Sequence, residues 1–379
     1  MKKLVILVTV PMVLETWLKG QAKYLSNYYE VEIITSYANT LDSIKLYENV
    51  NIKTVDFTRK INIFKDLKVL IDLIAYFYRN KPDIVYTLTP KAGLLGMLAA
   101  WVLRIPLRIH IVVGLPHMEA KGKRKIILEI TERITYFCCT NLYANSLNLQ
   151  AYIQKYFLFK NVNVIGQGSA NGVDTHWYHD TSSAVEKMEV RETLGILKND
   201  FVITFVGRIV KDKGIDELTE VFNMLSTNFH HLKLLLVGDF EDDLNPINKE
   251  SKKYILENPN IIYTKFQEDI RSFLSISDLF VLPSYREGLP NSLIEAGSYG
   301  IPLLSTDING CNEVIINGKN GLLVEKKSKN ELYVAMERFI SDKVFYTKVK
   351  SCVRESIVQR YSQDYFWNEL RNEFLKLEK

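Results

Sequence analysis

Features that would assign this chain to a disulfide-rich, metal-binding or membrane-spanning class are scarce. Its 379 residues include only four cysteines, Cys138, Cys139, Cys311 and Cys352, and none has metal-ligand spacing. Adjacent cysteines rarely pair with each other, so we expect a reduced, cytoplasmic protein. The longest apolar run, residues 92–102, is too short to span a bilayer.

Signals for export and for a catalytic metal are also weak. The start, MKKLVILVTVPM, has two lysines and an apolar run, but no small-residue cleavage site follows, so we interpret it as a first strand. The acidic segment Glu241–Asp243 lacks supporting ligands, and we interpret it as a solvated loop. We therefore expect no metal site and no cofactor.

The composition is ordinary, with 47% apolar and 24% charged residues. The charges are nevertheless distributed unevenly along the chain. Residues 1–172 carry 22 lysines and arginines against 12 acids, whereas residues 173–379 carry 26 against 32. A basic first half predicts a surface that faces an anionic partner. Because no nucleic-acid-binding motif is present, we favour an anionic membrane leaflet over nucleic acid.

Short apolar runs alternate with segments of helical spacing, and the chain is too long for one core. In the first half the predicted strands are Leu4–Val10, Val31–Thr35, Ile52–Phe57, Ile84–Leu88, Ile109–Val113, Leu142–Ala144 and Val162–Ile165. In the second half they are Val202–Val206, Leu234–Val237, Ile261–Thr264, Leu279–Leu282, Leu303–Ser305 and Leu322–Val324. This alternation predicts an α/β protein of two Rossmann-like domains, with ligands at the carboxyl ends of parallel strands.

The domain boundary is predicted from composition. We expect a first domain of residues 1–172 and a second of residues 173–360, joined by a polar, glycine-bearing linker within residues 171–198. Residues 361–379 have helical spacing, and this terminal helix could pack on either domain.

The most informative stretch is Tyr285–Leu304, YREGLPNSLIEAGSYGIPLL. It follows a strand-like run and predicts a loop, a helix with Pro290 in its first position, and a stop at Gly300–Pro302. The free amides from Gly288 to Asn291 would lie at a helix N-terminus, which suits an anion such as a diphosphate.

Two glutamates, Glu287 and Glu295, flank this anion site, eight positions apart. Asn291 and Glu295 are four apart and share a helix face. Phosphate would repel the acids, so we expect them to bind hydroxyls; a nucleotide-sugar offers a diphosphate, a sugar and a ribose. Alternatively, Glu287 is a loop charge and Glu295 a solvated helix residue.

This stretch resembles the donor-site signature of glycosyltransferase family 4, in which two glutamates are separated by seven residues. The resemblance implies a retaining transferase of the GT-B fold, with two facing Rossmann-like domains and a last helix that crosses back to the first domain. It also implies that Glu287 binds and orients the donor sugar, as a catalytic candidate, and that Glu295 binds the ribose.

Two cations belong to the same signature. Gly207-Arg208 follows a predicted strand, and Lys213 lies five residues further on, where both cations could neutralise a diphosphate leaving group. Without the resemblance they would be two exposed basic side chains. The predicted donor-binding residues are Gly207, Arg208, Lys213, Glu287, Gly288, Leu289, Pro290, Asn291 and Glu295.

Four further residues are placed at the same cleft on weaker grounds. Asn171 and Asp174 lie in an Asn-Gly-Val-Asp segment that resembles the family's hinge sequence, although Asn-Gly alone is typical of a turn. Gly238 ends a predicted strand and could bring the backbone close to the nucleotide. By the same resemblance, the base is expected near Phe266.

In the first half, His117 follows a predicted strand and is the second catalytic candidate, which could contact the donor sugar or orient the acceptor hydroxyl. Alternatively, it is a packing residue. The loop Thr9–Met12 departs from the family, in which paired glycines often occupy this position.

A basic cluster opens an amphipathic helix. The cluster is Lys121, Lys123, Arg124 and Lys125, and the apolar stripe after it is Ile126, Ile127, Ile130, Ile134 and Phe137. The stripe is explained either as core or as a surface for peripheral docking on anionic lipid, to which each basic residue could contribute about 1 kcal/mol.

Together these observations predict transfer of a hexose or N-acetylhexosamine from a UDP-sugar, a substrate and not a cofactor, to a hydroxyl of a glycan or lipid-diphosphate-linked acceptor. The setting would be surface polysaccharide synthesis at the cytoplasmic face of the membrane. Alternatives are a hydrolase, a UDP-sugar epimerase of the same architecture, and a non-catalytic nucleotide-sugar-binding protein.

Overall fold

The computed structural model describes residues 1–58, 62–115, 117, 120, 122–157, 160–241 and 245–378. The chain divides into two compact units, one of residues Met1–Gly172 with Gln363–Lys379 and one of residues Val173–Ser362. Of the residues singled out from sequence, Lys121, Asp242 and Asp243 lie outside the described residues.

In the described part of the first unit, seven parallel strands form one sheet in the order β3-β2-β1-β4-β5-β6-β7. The strands are β1 (Lys3–Leu7), β2 (Glu30–Thr35), β3 (Asn51–Thr54), β4 (Ile84–Thr87), β5 (Leu107–Val112), β6 (Asn141–Ala144) and β7 (Val162–Val164). The helices are α1 (Met12–Thr16), α2 (Gln21–Leu25), α3 (Leu41–Glu48), α4 (Ile63–Asn80), α5 (Pro90–Val102), α6 (Gly122–Cys138), α7 (Leu147–Tyr156) and the terminal α16 (Gln363–Leu377). The predicted strands of this half are confirmed, although β1 and β3 each end three residues before the predicted Val10 and Phe57.

Both faces of this sheet are covered, as expected of a parallel sheet. Alternate residues of β1 divide between the two sides: Val5 and Leu7 pack into a core with α4, α5, α6 and α7, and Leu4 and Ile6 into a core with α1, α2, α3 and α16. Strand residues of both orientations are buried and therefore apolar, which is why the strands could be predicted from continuous apolar runs in the sequence.

Helix α4 carries two apolar stripes, and one of them faces the core. Leu67 and Ile71 are 54% and 57% exposed, whereas Val69, Leu73 and Phe77 are buried. Both sets recur at helical spacing, so the periodicity predicted the helix but could not tell which stripe meets the sheet.

The terminal helix α16 packs on the first unit, as the resemblance implied. Phe366, Leu370 and Phe374 are buried in the core on the α1–α3 side of the sheet. The Phe374 ring lies 6.1 Å from the ring of Tyr29 and 5.7 Å from that of Tyr86, both edge to face.

In the second unit, the described strands form one six-stranded parallel sheet in the order β10-β9-β8-β11-β12-β13. The strands are β8 (Phe201–Val206), β9 (Leu232–Val237), β10 (Ile261–Tyr263), β11 (Leu279–Leu282), β12 (Leu303–Thr306) and β13 (Gly321–Val324), as predicted to within two residues at each end. The helices are α8 (Ala184–Thr193), α9 (Ile215–Ser226), α10 (Lys249–Glu257), α11 (Arg271–Ser275), α12 (Asn291–Ser298), α13 (Cys311–Val314), α14 (Lys329–Ser341) and α15 (Lys343–Tyr361).

Helix α8 lies inside the stretch that was expected to be linker. Ser183 and Glu186 form a capping box, in which each side chain accepts the other residue's backbone N–H. Half of its ten residues are charged and none is buried, so its composition resembles that of a linker, and the capping pattern is the signal that marks the helix. Among the helices of the described residues, none is both long and apolar enough to cross a membrane.

Replacing Phe374 with alanine should lower the free energy of unfolding of the first unit by roughly 3–5 kcal/mol, because a fully buried ring is removed from a packed core. Leu375→Ala is the matched control, since its side chain is 42% exposed, and should change stability by less than about 0.5 kcal/mol. Denaturant unfolding measures both. Equal losses would contradict the packing of α16 described above.

Candidate active site

Most predicted donor-binding residues lie at the carboxyl edge of the sheet in the second unit. Gly207 directly follows β8, Gly238 follows β9, and residues 283–290 connect β11 to α12. Parallel strands present their carboxyl ends at one edge, so these segments share that edge.

A partly buried ion pair lies in this region. Lys213 Nζ is 2.5 Å from Glu287 Oε1, and the two side chains are 19% and 11% exposed. The Ser284 hydroxyl donates to the same carboxylate oxygen at 2.6 Å. Removing either charged partner would leave the other enclosed without compensation. The structure thus joins two of the residues predicted from sequence.

The turn that carries Lys213 is packed against the loop after β11. Lys213 ends a 3-10 turn, and Gly214 follows with φ of +69°. A Cβ atom at Gly214 would lie 2.1 Å from the carbonyl oxygen of Pro283, so only glycine fits. The Tyr285 N–H donates to the Asp212 carbonyl at 2.8 Å. Backbone contacts therefore fix how Lys213 approaches Glu287.

A second turn holds the loop from the other side. Gly310 has φ of +78°, and a Cβ atom there would lie 1.9 Å from the carbonyl oxygen of Gly288. The Asn309 side-chain amide donates to the Glu287 carbonyl at 3.2 Å. The loop bearing Glu287 is thus clamped between the turns that follow β8 and β12.

Helix α12 begins one residue later than predicted, with Pro290 as its N-cap and Asn291 as its first residue. No side chain caps its first turn. Leu289 packs against the core of the unit. An uncapped first turn leaves backbone N–H groups for an anion, and the dipole of the helix favours negative charge there.

Glu295, on α12, is half-buried, and burial raises the pKa of its carboxyl to about 7. The Tyr178 hydroxyl hydrogen-bonds this carboxyl and partly opposes the rise. Burial, followed by the charge of Glu295, raises the pKa of Tyr178 above its usual value. A perturbed acid on the helix that starts this site is a candidate functional group. Sequence reasoning missed Tyr178, because nothing in its local pattern distinguishes it.

Arg208 has a different environment from Lys213. Its side chain is 60% exposed, and its Nη1 lies 2.7 Å from Glu241 Oε2. Glu241, interpreted from sequence as part of a solvated loop, therefore has a specific partner. Among the described residues, no group of three or more His, Cys, Asp and Glu side chains is arranged to hold a metal ion.

The two glycines at the ends of β8 and β9 lie against each other. Gly238 has φ of +142°, and a Cβ atom there would lie 1.9 Å from the carbonyl oxygen of Gly207. This close approach of the two backbones is sufficient to require glycine at position 238, without any contact to a ligand. Phe266 is 68% exposed, and its N–H donates to Asp239 Oδ1 at 3.1 Å. Its predicted contact with a base stays a prediction.

Asn171 and Asp174 have local structural partners. Asn171 Oδ1 accepts from Gln21 Nε2 at 3.1 Å and from Trp367 Nε1 at 2.7 Å, which ties α16 to the first unit. Asp174 Oδ1 accepts two backbone N–H groups of the turn that follows it, at 3.0 and 2.8 Å. A contact of either residue with the donor stays a prediction.

His117 lies in the first unit and is 2% exposed. Its Nδ1 is 2.9 Å from Glu132 Oε2, although the approach is out of line for a hydrogen bond, and its Nε2 is 3.4 Å from the Tyr152 hydroxyl. Glu132 and Tyr152 were not singled out from sequence, because α6 was considered only for its basic cluster and apolar stripe and α7 was not considered. The catalytic role of His117 stays a prediction.

The interpretation of the α6 stripe as core is wrong. Its members are 39 to 63% exposed, namely Ile126, Ile127, Ile130, Ile134 and Phe137. The buried residues of α6 are Glu132, Thr135, Tyr136 and Cys138. Basic residues Lys123, Arg124 and Lys125 are exposed beside the stripe.

Comparison with known proteins gives two family matches and several relatives. The family described as glycosyl transferases group 1 matches residues 186–356, and that described as glycosyl transferase 4-like matches residues 6–146. The chain is 33% identical over 365 residues to a capsular polysaccharide biosynthesis glycosyltransferase, CapM, of Staphylococcus aureus, covering 95% of this chain and 94% of that protein.

A second relative, from Escherichia coli, is named UDP-Gal:alpha-D-GlcNAc-diphosphoundecaprenol alpha-1,3-galactosyltransferase. It is 30% identical over 310 residues, covering 80% of this chain and 78% of the relative. Among solved structures, Anabaena Alr3699/HepE in complex with UDP and glucose superposes with a TM-score of 0.80 at 18% identity, covering 99% of both chains.

Two parallel-sheet Rossmann-like halves, with a polar site at the carboxyl edge of the second sheet, define a glycosyltransferase of the GT-B type. The chain belongs to the same glycosyltransferase family as the capsular relative, with a region matching glycosyl transferases group 1 and one matching glycosyl transferase 4-like proteins.

Replacing Glu295 with glutamine should stabilise the protein at pH 8 more than at pH 5. Burial raises the pKa of Glu295 from its ordinary 4.5 to about 7, so between these values the folded protein retains a proton that the unfolded chain has released. The contribution of Glu295 to the free energy of unfolding therefore falls by roughly 2–3 kcal/mol as the pH rises from 5 to 8. Glutamine does not titrate, so the variant does not lose this stability. Thermal unfolding at both pH values measures it.

Glu192→Gln, at an exposed position of α8, is the control and should show no such pH dependence. If Glu295→Gln changed stability equally at both pH values, the raised pKa would be contradicted.

Proposed function

We propose that this protein transfers a hexose or N-acetylhexosamine from a UDP-sugar to a hydroxyl of a glycan or lipid-diphosphate-linked acceptor. The observation that carries the proposal is the partly buried Lys213–Glu287 pair beside the uncapped start of α12. A cation and free backbone N–H groups suit a diphosphate, and a fixed carboxylate suits sugar hydroxyls.

The relatives support this substrate class. The Escherichia coli enzyme is named for a UDP-galactose donor and a diphosphoundecaprenol-linked acceptor, and the Staphylococcus aureus relative is named for capsular polysaccharide synthesis. Synthesis of a surface polysaccharide from a UDP-sugar, which is a substrate and not a cofactor, is therefore the role we propose.

Residue roles follow from the chemistry of the leaving group. Transfer develops negative charge on the diphosphate, which Lys213 and the exposed Arg208 would stabilise together with the first amides of α12. Glu287 would orient the donor sugar and Glu295 would bind the ribose. Two cations make a metal unnecessary for this step, so we propose metal-independent transfer.

Retention at the anomeric carbon is proposed from the resemblance of the Glu287–Glu295 pattern to the family signature. Among the residues of this site we identify no separate nucleophile, and attack from the face of the departing phosphate is compatible with the proposed roles. Exclusion of water from the reacting centre would limit hydrolysis of the donor.

The test is release of UDP from UDP-galactose, UDP-glucose and their N-acetyl forms, with and without N-acetylglucosaminyl-diphosphoundecaprenol. We expect release to depend on the acceptor, to persist in excess EDTA, and to fall at least about 100-fold in Glu287→Gln, because the sugar loses a charged partner in the transition state. Product NMR would show the anomeric configuration of the donor.

Glu257→Gln is the matched control, because Glu257 belongs to an exposed Lys–Glu pair on α10. It should leave the rate unchanged. Release without any acceptor would favour an epimerase, and UDP-sugar binding without turnover would favour a binding protein. Activity lost in EDTA and restored by a divalent ion would contradict metal independence.

We also propose peripheral contact of the first unit with an anionic membrane leaflet on the cytoplasmic side. The exposed apolar stripe of α6 adjoins three exposed basic residues, and α4, another helix on that side of the sheet, exposes Phe64 (88%). Apolar side chains flanked by basic ones match the interface of an anionic bilayer.

Reversing two charges, in Lys123→Glu with Arg124→Glu, should weaken binding to phosphatidylglycerol-containing vesicles at least about tenfold at low salt. Lys253→Glu, an exposed lysine on α10 of the second unit, is the control and should bind as the wild type does. Sedimentation with vesicles measures this. Equal binding of wild type to neutral and anionic vesicles would remove the proposal.

A further inference from the structure

We infer that the Ser284 hydroxyl positions the Glu287 carboxylate, so that the protein holds Oε1 and presents Oε2 to a hydroxyl of the donor sugar. Ser284 is thus a positioning residue that acts through Glu287, and it was not among the site residues predicted from sequence. The inference rests on the proposed function, because the hydroxyl that Oε2 accepts from belongs to the sugar of the UDP-sugar.

The first observation is that the two oxygens of the Glu287 carboxylate have different surroundings. Oε1 lies 2.5 Å from Lys213 Nζ and accepts a hydrogen bond from the Ser284 hydroxyl at 2.6 Å. Among the described residues, Oε2 has no hydrogen-bond partner, and it is not one of the fully enclosed unpaired atoms. A carboxylate oxygen has about two acceptor positions, so both positions of Oε1 are occupied and those of Oε2 are left for a ligand.

The second observation is the strength of the contact that Ser284 makes. A serine has a single O–H proton, and here Glu287 receives it. The separation of 2.6 Å is typical of a hydroxyl that donates to an ionised carboxylate, a bond stronger than one between neutral groups. Lys213 contributes a compact charge on a flexible stem, which attracts the carboxylate without defining its plane. The second donor on the same oxygen restricts rotation of the carboxylate.

The third observation is that the backbone of Ser284 is held in place. Ser284 is fully buried just after β11, and its carbonyl accepts a hydrogen bond from the Thr306 hydroxyl at the end of β12. The carbonyl of the preceding Pro283 lies against Gly214, where no Cβ atom would fit. The hydroxyl of Ser284 therefore projects from a fixed point, and the carboxylate of Glu287 adjusts to it.

The orientation of Glu287 matters because its carboxylate has to meet a sugar hydroxyl in the reacting geometry. A group that is already aligned needs no reorganisation as charge develops in the transition state, and a small misplacement lowers the rate. UDP alone has no donor sugar and makes no use of Oε2. Loss of the Ser284 hydroxyl should therefore lower the rate of transfer without weakening the binding of UDP.

The test is Ser284→Ala, assayed with UDP-galactose, UDP-glucose and their N-acetyl forms as donors and N-acetylglucosaminyl-diphosphoundecaprenol as acceptor. We expect kcat to fall at least about tenfold, as for a lost hydrogen bond to a charged group. The Kd for UDP, measured by calorimetry, should stay within about twofold of the wild-type value. An unchanged kcat would show that the hydroxyl only compensates the burial of Glu287, and would overturn the inference.

Ser305→Ala is the matched control. Ser305 is also fully buried at the carboxyl edge of this sheet, and its hydroxyl donates to the Leu282 carbonyl at 2.5 Å. The substitution removes the same atom without touching Glu287, so it should lower stability and leave kcat within about twofold of wild type. An equal fall of kcat in both variants would assign the effect to packing and contradict the role of Ser284.

A double-mutant cycle tests whether Ser284 acts through Glu287. In the Glu287→Ala background there is no carboxylate to position, so adding Ser284→Ala should lower the remaining rate by less than about twofold. The same substitution in the wild-type background should cause the full loss. Equal factors in the two backgrounds would show that Ser284 acts independently of Glu287, and would overturn the inference.

Crystal structures of the wild type and Ser284→Ala without ligand give a result that needs no turnover. We expect the carboxylate of Glu287 to rotate away from its wild-type plane in the variant while the contact with Lys213 is kept. An unchanged carboxylate would overturn the positioning role alone. Absence of sugar transfer by the wild type would overturn the proposed function, and with it the sugar as the partner of Oε2, so the two failures can be told apart.

Discussion

The contact between Lys213 and Glu287 is the interaction on which the proposed chemistry depends. Lys213 Nζ and Glu287 Oε1 lie 2.5 Å apart in a partly enclosed position, and removing one charge would leave the other without its charged partner. The fold supplies this arrangement through backbone contacts: Gly214 packs on the carbonyl of Pro283, and Gly310 on that of Gly288. Because these contacts have no room for a Cβ atom, the loop cannot shift without moving the pair. A loop held by such backbone contacts needs little ordering on binding, which lowers the entropic cost of binding.

At Glu295, the residue that suits the proposed function is not the one that would give the most stable fold. Its raised pKa records the cost of holding a carboxylate in a partly dehydrated position on α12, where leucine or glutamine would be less costly. Such a cost is typical of a binding group, which gains its partner only with the ligand.

The sequence predicted the strands of both sheets and the terminal helix, because parallel strands are buried on both faces and give continuous apolar runs. It did not predict which side of α4 or α6 faces the core. Helical periodicity defines a stripe but not its direction, and the stripe of Ile126 to Phe137 points to solvent. Tyr178 could not be found from sequence, because its significance comes from Glu295, a neighbour distant in the chain. The motif around Glu287 was informative because its residues are close in sequence as well as in space.

The central claim is that the carboxyl edge of the second sheet binds the pyrophosphate of a UDP-sugar. A crystal structure of the complex with UDP tests it directly. We expect pyrophosphate oxygens within hydrogen-bond distance of Lys213 Nζ, the Arg208 guanidinium and backbone N–H groups at the start of α12, with ribose hydroxyls on Glu295. A nucleotide bound elsewhere, with none of these groups in contact, would contradict the assignment of the site and the function proposed from it.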